Sequence, residues 1–257
     1  MILELDLELI FNDNDKFYQL IINFVRIEFT KDLKMRKARE LRFNVNEIFY
    51  SIQGEGTRAG LPCIFVRLQG CLLRCSWCDT PYALDKKEIV NRMTGEEIFN
   101  SILKYECKFL MLTGGEPLEQ DDIFDFITLA SDKGYEVVIE TNGQADISRV
   151  DKRAFKIMDI KCPNSNMSRK NNYGNINYLN LNDEVKFVIG NKIDFDWALD
   201  RCREFDLFTK VKTILFSPVF GEIEPVELSN WILEHNYPIR LQLQMHKFIW
   251  EPNTRGV

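Results

Sequence analysis

From residue 44 onward the chain alternates short apolar runs with helical patterns, and this alternation limits the folds open to it. The runs cover 63–68, 109–112, 136–140, 155–160, 185–189, 213–216 and 239–243. Each has the length and branched apolar content of a strand. Between them lie amphipathic stretches. Thr94-Gly95-Glu96-Glu97 reads as a capping box opening a helix with Ile98, Ile102 and Leu103 on one face. Asp121 and Asp122 open the next, which carries Ile123, Phe126, Ile127 and Ala130 and stops at Gly134. Further helices are predicted over 197–205 and 226–235. Strand and helix in repetition predict an α/β fold with a parallel sheet, doubly wound or barrel-like. Turn signals follow the strands at Gly70, Gly114-Gly115, Asn142-Gly143 and Ser217-Pro218. In such folds the carboxyl ends of the strands build the site, and the chemically distinctive residues all fall there.

The 257 residues, 45% of them apolar, are enough for a substantial core, and 28% charged residues exclude wholesale disorder. A net charge of −6 argues against a general phosphate-attracting surface, so no nucleic-acid partner is expected. No apolar run approaches the ~20 residues of a membrane span; the best, 18–25, is bracketed by Lys16 and Arg26. The start, Met1-Ile2-Leu3-Glu4-Leu5-Asp6, is acidic where a secretory signal would be basic, which places the protein in the cytoplasm. Residues 1–43 hold no glycine, proline or cysteine, are broken by Asn12-Asp13-Asn14-Asp15, and are strongly charged over 31–42. A short helix or strand is expected over 18–27. Two readings stand: an appended segment, with Met35 as an alternative start, or an ordinary N-terminal helix packed on a core that runs over 44–257.

The seven cysteines are an odd number, unlike a disulfide framework. Cys63, Cys107 and Cys202 read as small buried hydrophobes. Cys71, Cys75 and Cys78 crowd into eight residues with C-x3-C-x2-C spacing. A zinc site wants four ligands, usually from two separated pairs. No second C-x2-C pair exists, and His235 and His246 lack ligand spacing. A fully ligated iron–sulfur cluster also wants four thiolates. Three thiolates suit a four-iron cluster with one iron open to another ligand.

This cysteine spacing resembles that of the radical S-adenosylmethionine superfamily. The resemblance implies that Cys71, Cys75 and Cys78 hold a [4Fe-4S] cluster whose open iron binds S-adenosylmethionine, the source of a 5′-deoxyadenosyl radical. Leu112-Thr113-Gly114-Gly115-Glu116-Pro117, one strand later, is similar to the superfamily's G-G-E-P motif, which contacts the cofactor's amino group; by itself it would be a tight turn. Glu140 ends the next strand, either as a ribose ligand or as a surface turn residue. The fold implied is a contracted partial (β/α) barrel.

A further run narrows the family. Ser51-Ile52-Gln53-Gly54-Glu55-Gly56, with Arg67 in an apolar strand, Trp77-Cys78-Asp79-Thr80 and Lys161-Cys162-Pro163, resembles the 7-carboxy-7-deazaguanine synthases over about residues 44–257. Arg67 is either a structural ion pair or a carboxylate-binding group. The family converts 6-carboxy-5,6,7,8-tetrahydropterin to 7-carboxy-7-deazaguanine with release of ammonia, a carbon–nitrogen lyase step toward queuosine. It needs the cluster, S-adenosylmethionine and Mg2+, takes electrons from a donor such as flavodoxin or ferredoxin, and forms homodimers. Carried over by motif, Ile52, Gln53, Gly54, Arg67 and Thr113 should contact the pterin. Trp77, Cys78, Asp79, Gly115, Cys162, Pro163 and Asn164 should contact the cofactor, and Thr80 should help hold Mg2+ or else cap the following turn. Phe216, Ser217, Pro218 and Val219 stand where the family often has Gln-Pro, and are expected to reach the cofactor in part through backbone. The apolar tail after Gln244 is expected to dock on the barrel mouth, bringing His246 and the carboxylate of Val257 to the substrate. No residue stands out as a general base. The main rival is an activase of a glycyl-radical enzyme, which shares the cluster spacing but not the Gln53–Gly56 run.

Overall fold

The computed structural model describes residues 16–87 and 91–257. The acidic start and the Asn12–Asp15 break lie outside the described residues. The strands are β1 (Arg42–Ile52), β2 (Pro62–Leu68), β3 (Asn91–Thr94), β4 (Phe109–Gly114), β5 (Glu136–Thr141), β6 (Phe155–Asp159), β7 (Glu184–Ile189), β8 (Thr213–Pro218) and β9 (Ile239–Leu241). They form one sheet in the order β3-β1-β2-β4-β5-β6-β7-β8-β9. From β2 through β9 every neighbouring pair is parallel, while β1 runs antiparallel to both β2 and β3. The sheet does not close, since β3 and β9 are its edges.

The helices are α1 (Lys16–Glu40), α2 (Gly95–Ile102), α3 (Ile123–Asp132), α4 (Lys192–Glu204), α5 (Leu207–Lys210), α6 (Pro225–His235) and α7 (His246–Ile249). The crossovers from β5 to β6 and from β6 to β7 contain no α-helix, which makes this a contracted version of a β/α barrel. The capping box of α2 forms as read: Glu97 N–H donates to Thr94 Oγ1 at 3.1 Å, and Thr94 N–H to Glu97 Oε2 at 2.7 Å. Asp122 does not cap α3; its carboxylate accepts from Arg42 N–H at 2.7 Å and ties the helix start to β1. Helix α4 starts five residues earlier than the apolar pattern implied, because Asn191 caps it by accepting from Asp194 N–H at 3.1 Å.

Strand alternation sorts the core into two layers. On β2, Ile64, Val66 and Leu68 face the helices, while Cys63 and Phe65 face the barrel interior. On β4, Leu110 and Leu112 face out and Phe109 and Met111 face in. Strand β1 was hidden in the sequence for a definite reason. Its register shifts between Val45 and Glu47, so Phe43 and Val45 face the helices while Phe49 faces the interior. A bulge of this kind breaks the period-two signal.

Residues 16–40 form one 25-residue helix, longer than the 18–27 segment expected, consistent with a stretch that lacks glycine and proline. Its end joins the core: Ala38, with Leu41 and Phe43 just beyond the helix, is buried among residues of α2, α3 and β2. Lys37 pairs with Asp125 at 2.9 Å and Arg39 with Glu96 at 2.9 Å. The core therefore reaches back to Ala38, whereas Phe24, Val25, Phe29 and Leu33 are exposed. A chain starting at Met35 should keep its melting temperature within about 3 °C of the parent, because exposed ion pairs contribute little. A chain starting at Phe43 loses Ala38 and Leu41 and should melt at least about 5 °C lower, as checked by calorimetry.

Candidate active site

The parity that fills the interior with apolar groups also places a polar group on the inward row of six of the parallel strands. Arg67, Thr113, Glu140, Asp159, Lys186 and Ser217 continue the inward rows of β2, β4, β5, β6, β7 and β8. All six line one cavity of about 720 Å³, within the range of small-molecule sites. Two segments complete its walls. The loop after β1 crosses beneath the sheet, where Arg58 pairs with Glu136 at 2.5 Å and Thr57 N–H donates to Glu184 at 3.2 Å. The chain after β9 joins that loop: Gly56 N–H donates to Gln242 Oε1 at 2.8 Å, and Met245 N–H to Gly54 O at 3.0 Å.

The cysteine loop leaves β2 through Gly70, whose φ of +105° suits glycine. Cys71 N–H donates to Leu84 O at 3.1 Å and Gly70 N–H to Ala83 O at 2.7 Å, which pins the loop base. All three thiols open into the cavity. Leu73 N–H and Asn142 Nδ2 point at Cys71 Sγ, at 3.4 and 3.6 Å. Burial pushes the three thiols above their ordinary range, while Lys161 pulls Cys75 and Cys78 back down. Thiols held up by burial become thiolates when a metal takes the proton's place. Among the described residues no three His, Cys, Asp or Glu side chains close around a single metal ion. Three spaced thiols with N–H donors at one sulfur suit a polynuclear cluster, as the sequence implied.

Gly114 and Gly115 are required by space. A Cβ on Gly115 would lie 2.2 Å from Gly70 O and 2.7 Å from Ala83 O, and one on Gly114 would lie 2.3 Å from Leu68 O. Glu116 faces away from the cavity. It is fully buried and accepts from Leu118 N–H, Asn142 N–H and Thr141 Oγ1 at 3.0, 2.6 and 2.9 Å. Burial outweighs those bonds and raises its carboxyl to about 7. Its role is to tie the ends of β4 and β5 together beside Cys71.

The electrostatics of the cavity centre on carboxylates. Glu55, Asp79, Glu140 and Asp159 face it with Lys161 and Lys186. Lys161 pairs with Asp159 at 3.0 Å. Enclosure would raise Asp79, but Lys186 and Lys247, with hydrogen bonds from Gln244 and Thr80, hold it at about 2. Thr80 does not cap the turn that follows it; its hydroxyl donates to Asp79 Oδ1 at 2.9 Å. Hydroxyl and carboxylate together are a hard oxygen pair of the kind magnesium prefers.

Of the residues singled out from sequence, Ile52, Gln53, Gly54, Arg67, Cys71, Cys75, Trp77, Cys78, Asp79, Thr80, Thr113, Gly115, Glu140, Ser217, Pro218, Val219, His246 and Val257 line this cavity. Four do not. Phe216 faces the helices because it has the opposite parity to Ser217, and Cys162 is buried in the same outer core. Pro163 and Asn164 are not among the lining residues; Asn164 N–H donates to Asp194 Oδ1 at 3.0 Å, and its carbonyl accepts from Ser76 Oγ of the cysteine loop at 2.7 Å. Arg67 forms the ion pair foreseen, with Glu47 at 2.8 Å, and it also lines the cavity. Glu140 is no surface turn residue; Thr113 Oγ1 donates to it at 3.0 Å and Lys186 lies 3.9 Å away. Glu55, Lys161, Lys186 and Gln244 were not proposed as site residues from sequence. Lys186 could have been found, since a charge inside an apolar run is what marked Arg67. Gln244 could not, because its partners Glu55 and Asp79 are 189 and 165 residues away.

The Radical SAM superfamily model matches residues 65–220, so the fold and the three-thiol loop define a radical S-adenosylmethionine enzyme, one with a [4Fe-4S] cluster and S-adenosylmethionine as cofactor. The chain is 41% identical over 224 residues to the 7-carboxy-7-deazaguanine synthase of Chlorobaculum tepidum, covering 86% of this chain and 100% of that one. It is 39% identical over 227 residues to the enzyme of that name from Koribacter versatilis, covering 83% and 99%. The crystal structure of QueE from Escherichia coli shares the fold, with a TM-score of 0.67 at 24% identity over 83% of this chain and 98% of that one. The chain belongs to the 7-carboxy-7-deazaguanine synthase family. Among the described residues no helix is long and apolar enough to cross a membrane.

Cys71→Ala, Cys75→Ala and Cys78→Ala should each abolish the cluster's visible absorbance after anaerobic reconstitution, while Cys202→Ala, deep in the outer core, should keep it. Gly115→Ala forces backbone apart at two carbonyls and should lower S-adenosylmethionine affinity by about tenfold or more in equilibrium dialysis. Glu116→Ala leaves three donors without an acceptor and should destabilise the fold by about 2–4 kcal/mol, read from denaturant titration.

Proposed function

We propose that this cavity converts 6-carboxy-5,6,7,8-tetrahydropterin to 7-carboxy-7-deazaguanine and ammonia. The observation that carries the reading is that the cysteine loop and the Gln53–Glu55 loop, brought from opposite ends of the sheet, open into one cavity. When bound, the cluster and S-adenosylmethionine supply one-electron chemistry that removes and returns a hydrogen atom. The residues of the chain bind, orient and enclose. Gln53 Nε2 is buried with no hydrogen-bond partner among the described residues, a donor suited to an acceptor atom of the pterin. Arg67, half-buried and braced by Glu47, suits the substrate carboxylate. Thr113, Gly54, Ile52, His246 and Val257 complete the substrate wall. Burial lowers the His246 pKa, which favours a neutral ring able to donate and accept. Trp77, Asp79, Gly115, Ser217, Pro218 and Val219 are the cofactor wall.

Thr80, with Asp79 beside it, is the magnesium site, where the cation would orient the substrate carboxylate. Residues 252–257 lie along the same cavity, which favours an enclosed small molecule over the protein substrate of an activase. An external one-electron donor such as flavodoxin or ferredoxin, a homodimeric assembly and a cytoplasmic setting complete the reading.

The deciding experiment is an anaerobic assay of reconstituted protein with the carboxytetrahydropterin. The expected result is 7-carboxy-7-deazaguanine without net loss of S-adenosylmethionine. Cofactor consumption with no such product would overturn the reading. Thr80→Ala should raise the magnesium needed for half-maximal rate by about tenfold while cofactor affinity stays unchanged. An unchanged titration would remove Thr80 from the metal site.

A further inference from the structure

Lys186 is 8% exposed and sits on the inward row of β7, between Asp159 of β6 and Leu215 of β8. Its ammonium lies 2.5 Å from Glu55 Oε2 and 3.9 Å from Glu140 Oε1. Each carboxylate is held at its other oxygen by a neutral donor. Gln244 Nε2 donates to Glu55 Oε1 at 3.0 Å, and Thr113 Oγ1 donates to Glu140 Oε2 at 3.0 Å. One cation thus spans two carboxylates that come from the loop after β1 and from the end of β5. The neighbouring Lys161 is already paired with Asp159.

A different buried lysine shows what a structural pair looks like here. Lys156 meets Asp183 alone at 3.0 Å, outside the cavity, and the charges cancel. At Lys186 two carboxylates share one ammonium, and burial with the neighbouring Glu55 charge raises the Glu140 carboxyl all the same, so Glu140 is left under-compensated. An uncompensated buried charge is costly, and a ligand rich in N–H groups relieves it through charge-assisted hydrogen bonds. The edge of an aminopterin is such a ligand, as its ring and exocyclic nitrogens carry donors.

We propose that Lys186 is a positioning residue for the substrate, holding Glu55 and Glu140 apart and in place as acceptors for the donor edge of the pterin ring. The assignment rests on the functional reading above. Glu55 and Glu140 touch the substrate, and Lys186 acts through them. Burial disfavours the lysine's charge, but Glu55, Glu140 and Asp159 more than restore it, so it stays charged throughout the working range. With the lysine removed, the two carboxylates repel and one takes up a proton, so an acceptor is lost and the geometry relaxes.

The test uses Lys186→Met in the reconstituted, cluster-loaded enzyme. Pterin Kd is measured by anaerobic equilibrium dialysis, and KM and kcat by turnover. Pterin Kd and KM should rise about tenfold or more, the size of one lost charge-assisted hydrogen bond. Cluster content should match the parent, and S-adenosylmethionine affinity should stay within about twofold, a split that general unfolding would not produce. Parental pterin Kd and KM in a folded, loaded variant would overturn the assignment, as would an equal loss of affinity for both ligands. Should Lys186→Met fail to fold, Lys186→Gln removes the charge but keeps a donor for Glu55, and the same results decide. If the parent neither binds nor turns over the pterin, the functional reading itself fails; if only the variant behaves as the parent does, the reading stands and the role of Lys186 falls.

Discussion

Every inward-facing side chain in this sheet is committed by strand parity. In the parallel strands from β2 to β8 the residues that face the helices are mostly apolar, with Lys156 of β6 buried there against Asp183, and shifting a strand by one position would turn its inward polar groups into the outer core. The same parity delivers Arg67, Thr113, Glu140, Asp159, Lys186 and Ser217 to one cavity. Packing and chemistry are therefore not independent here. The outer core fixes the register, and the register aims the polar groups. The bulge in β1 is the one place where the rule is broken, and it turns Glu47 toward Arg67, where its carboxylate holds the guanidinium.

An open sheet leaves an edge at β9 that something must cover. Backbone and amide hydrogen bonds between the chain after β9 and the loop after β1 do this, through Gln242, Met245, Gly54 and Gly56. The glycines permit that closeness: a Cβ on Gly54 would meet the His246 ring at 2.3 Å. The contact that closes the barrel also carries Glu55 and Gln244 into the cavity, so closure of the fold and assembly of the acidic floor are one event.

Within the cavity the charges divide by function. Thiols raised by burial await a metal that removes their protons. Glu55 and Asp79 are held ionised by shared lysines, whereas burial and its acidic neighbours raise the Glu140 carboxyl. Carboxylates so placed suit ligands that bring positive charge or N–H donors, which describes a sulfonium cofactor, a divalent cation and an aminopterin alike.

Several features were legible in the linear chain because they are local. The C-x3-C-x2-C loop, the Gly114-Gly115 turn, the α2 capping box and the seven parallel strands rest on neighbours a few residues apart, and local propensity and spacing encode them. Ser-Ile-Gln-Gly-Glu-Gly narrowed the family for the same reason. The antiparallel β1 escaped because its bulge erases the period, and the inner end of α1 escaped because burial of Ala38 and Leu41 depends on α2 and α3. The outward side chains of Cys162 and Phe216 could not be read from a motif, which names positions but not the face each side chain takes. The partners of Lys186 could only be seen in three dimensions. Glu55 is 131 residues away from it, and no local rule pairs charges at that separation; the fold brings them together by closing an incomplete barrel.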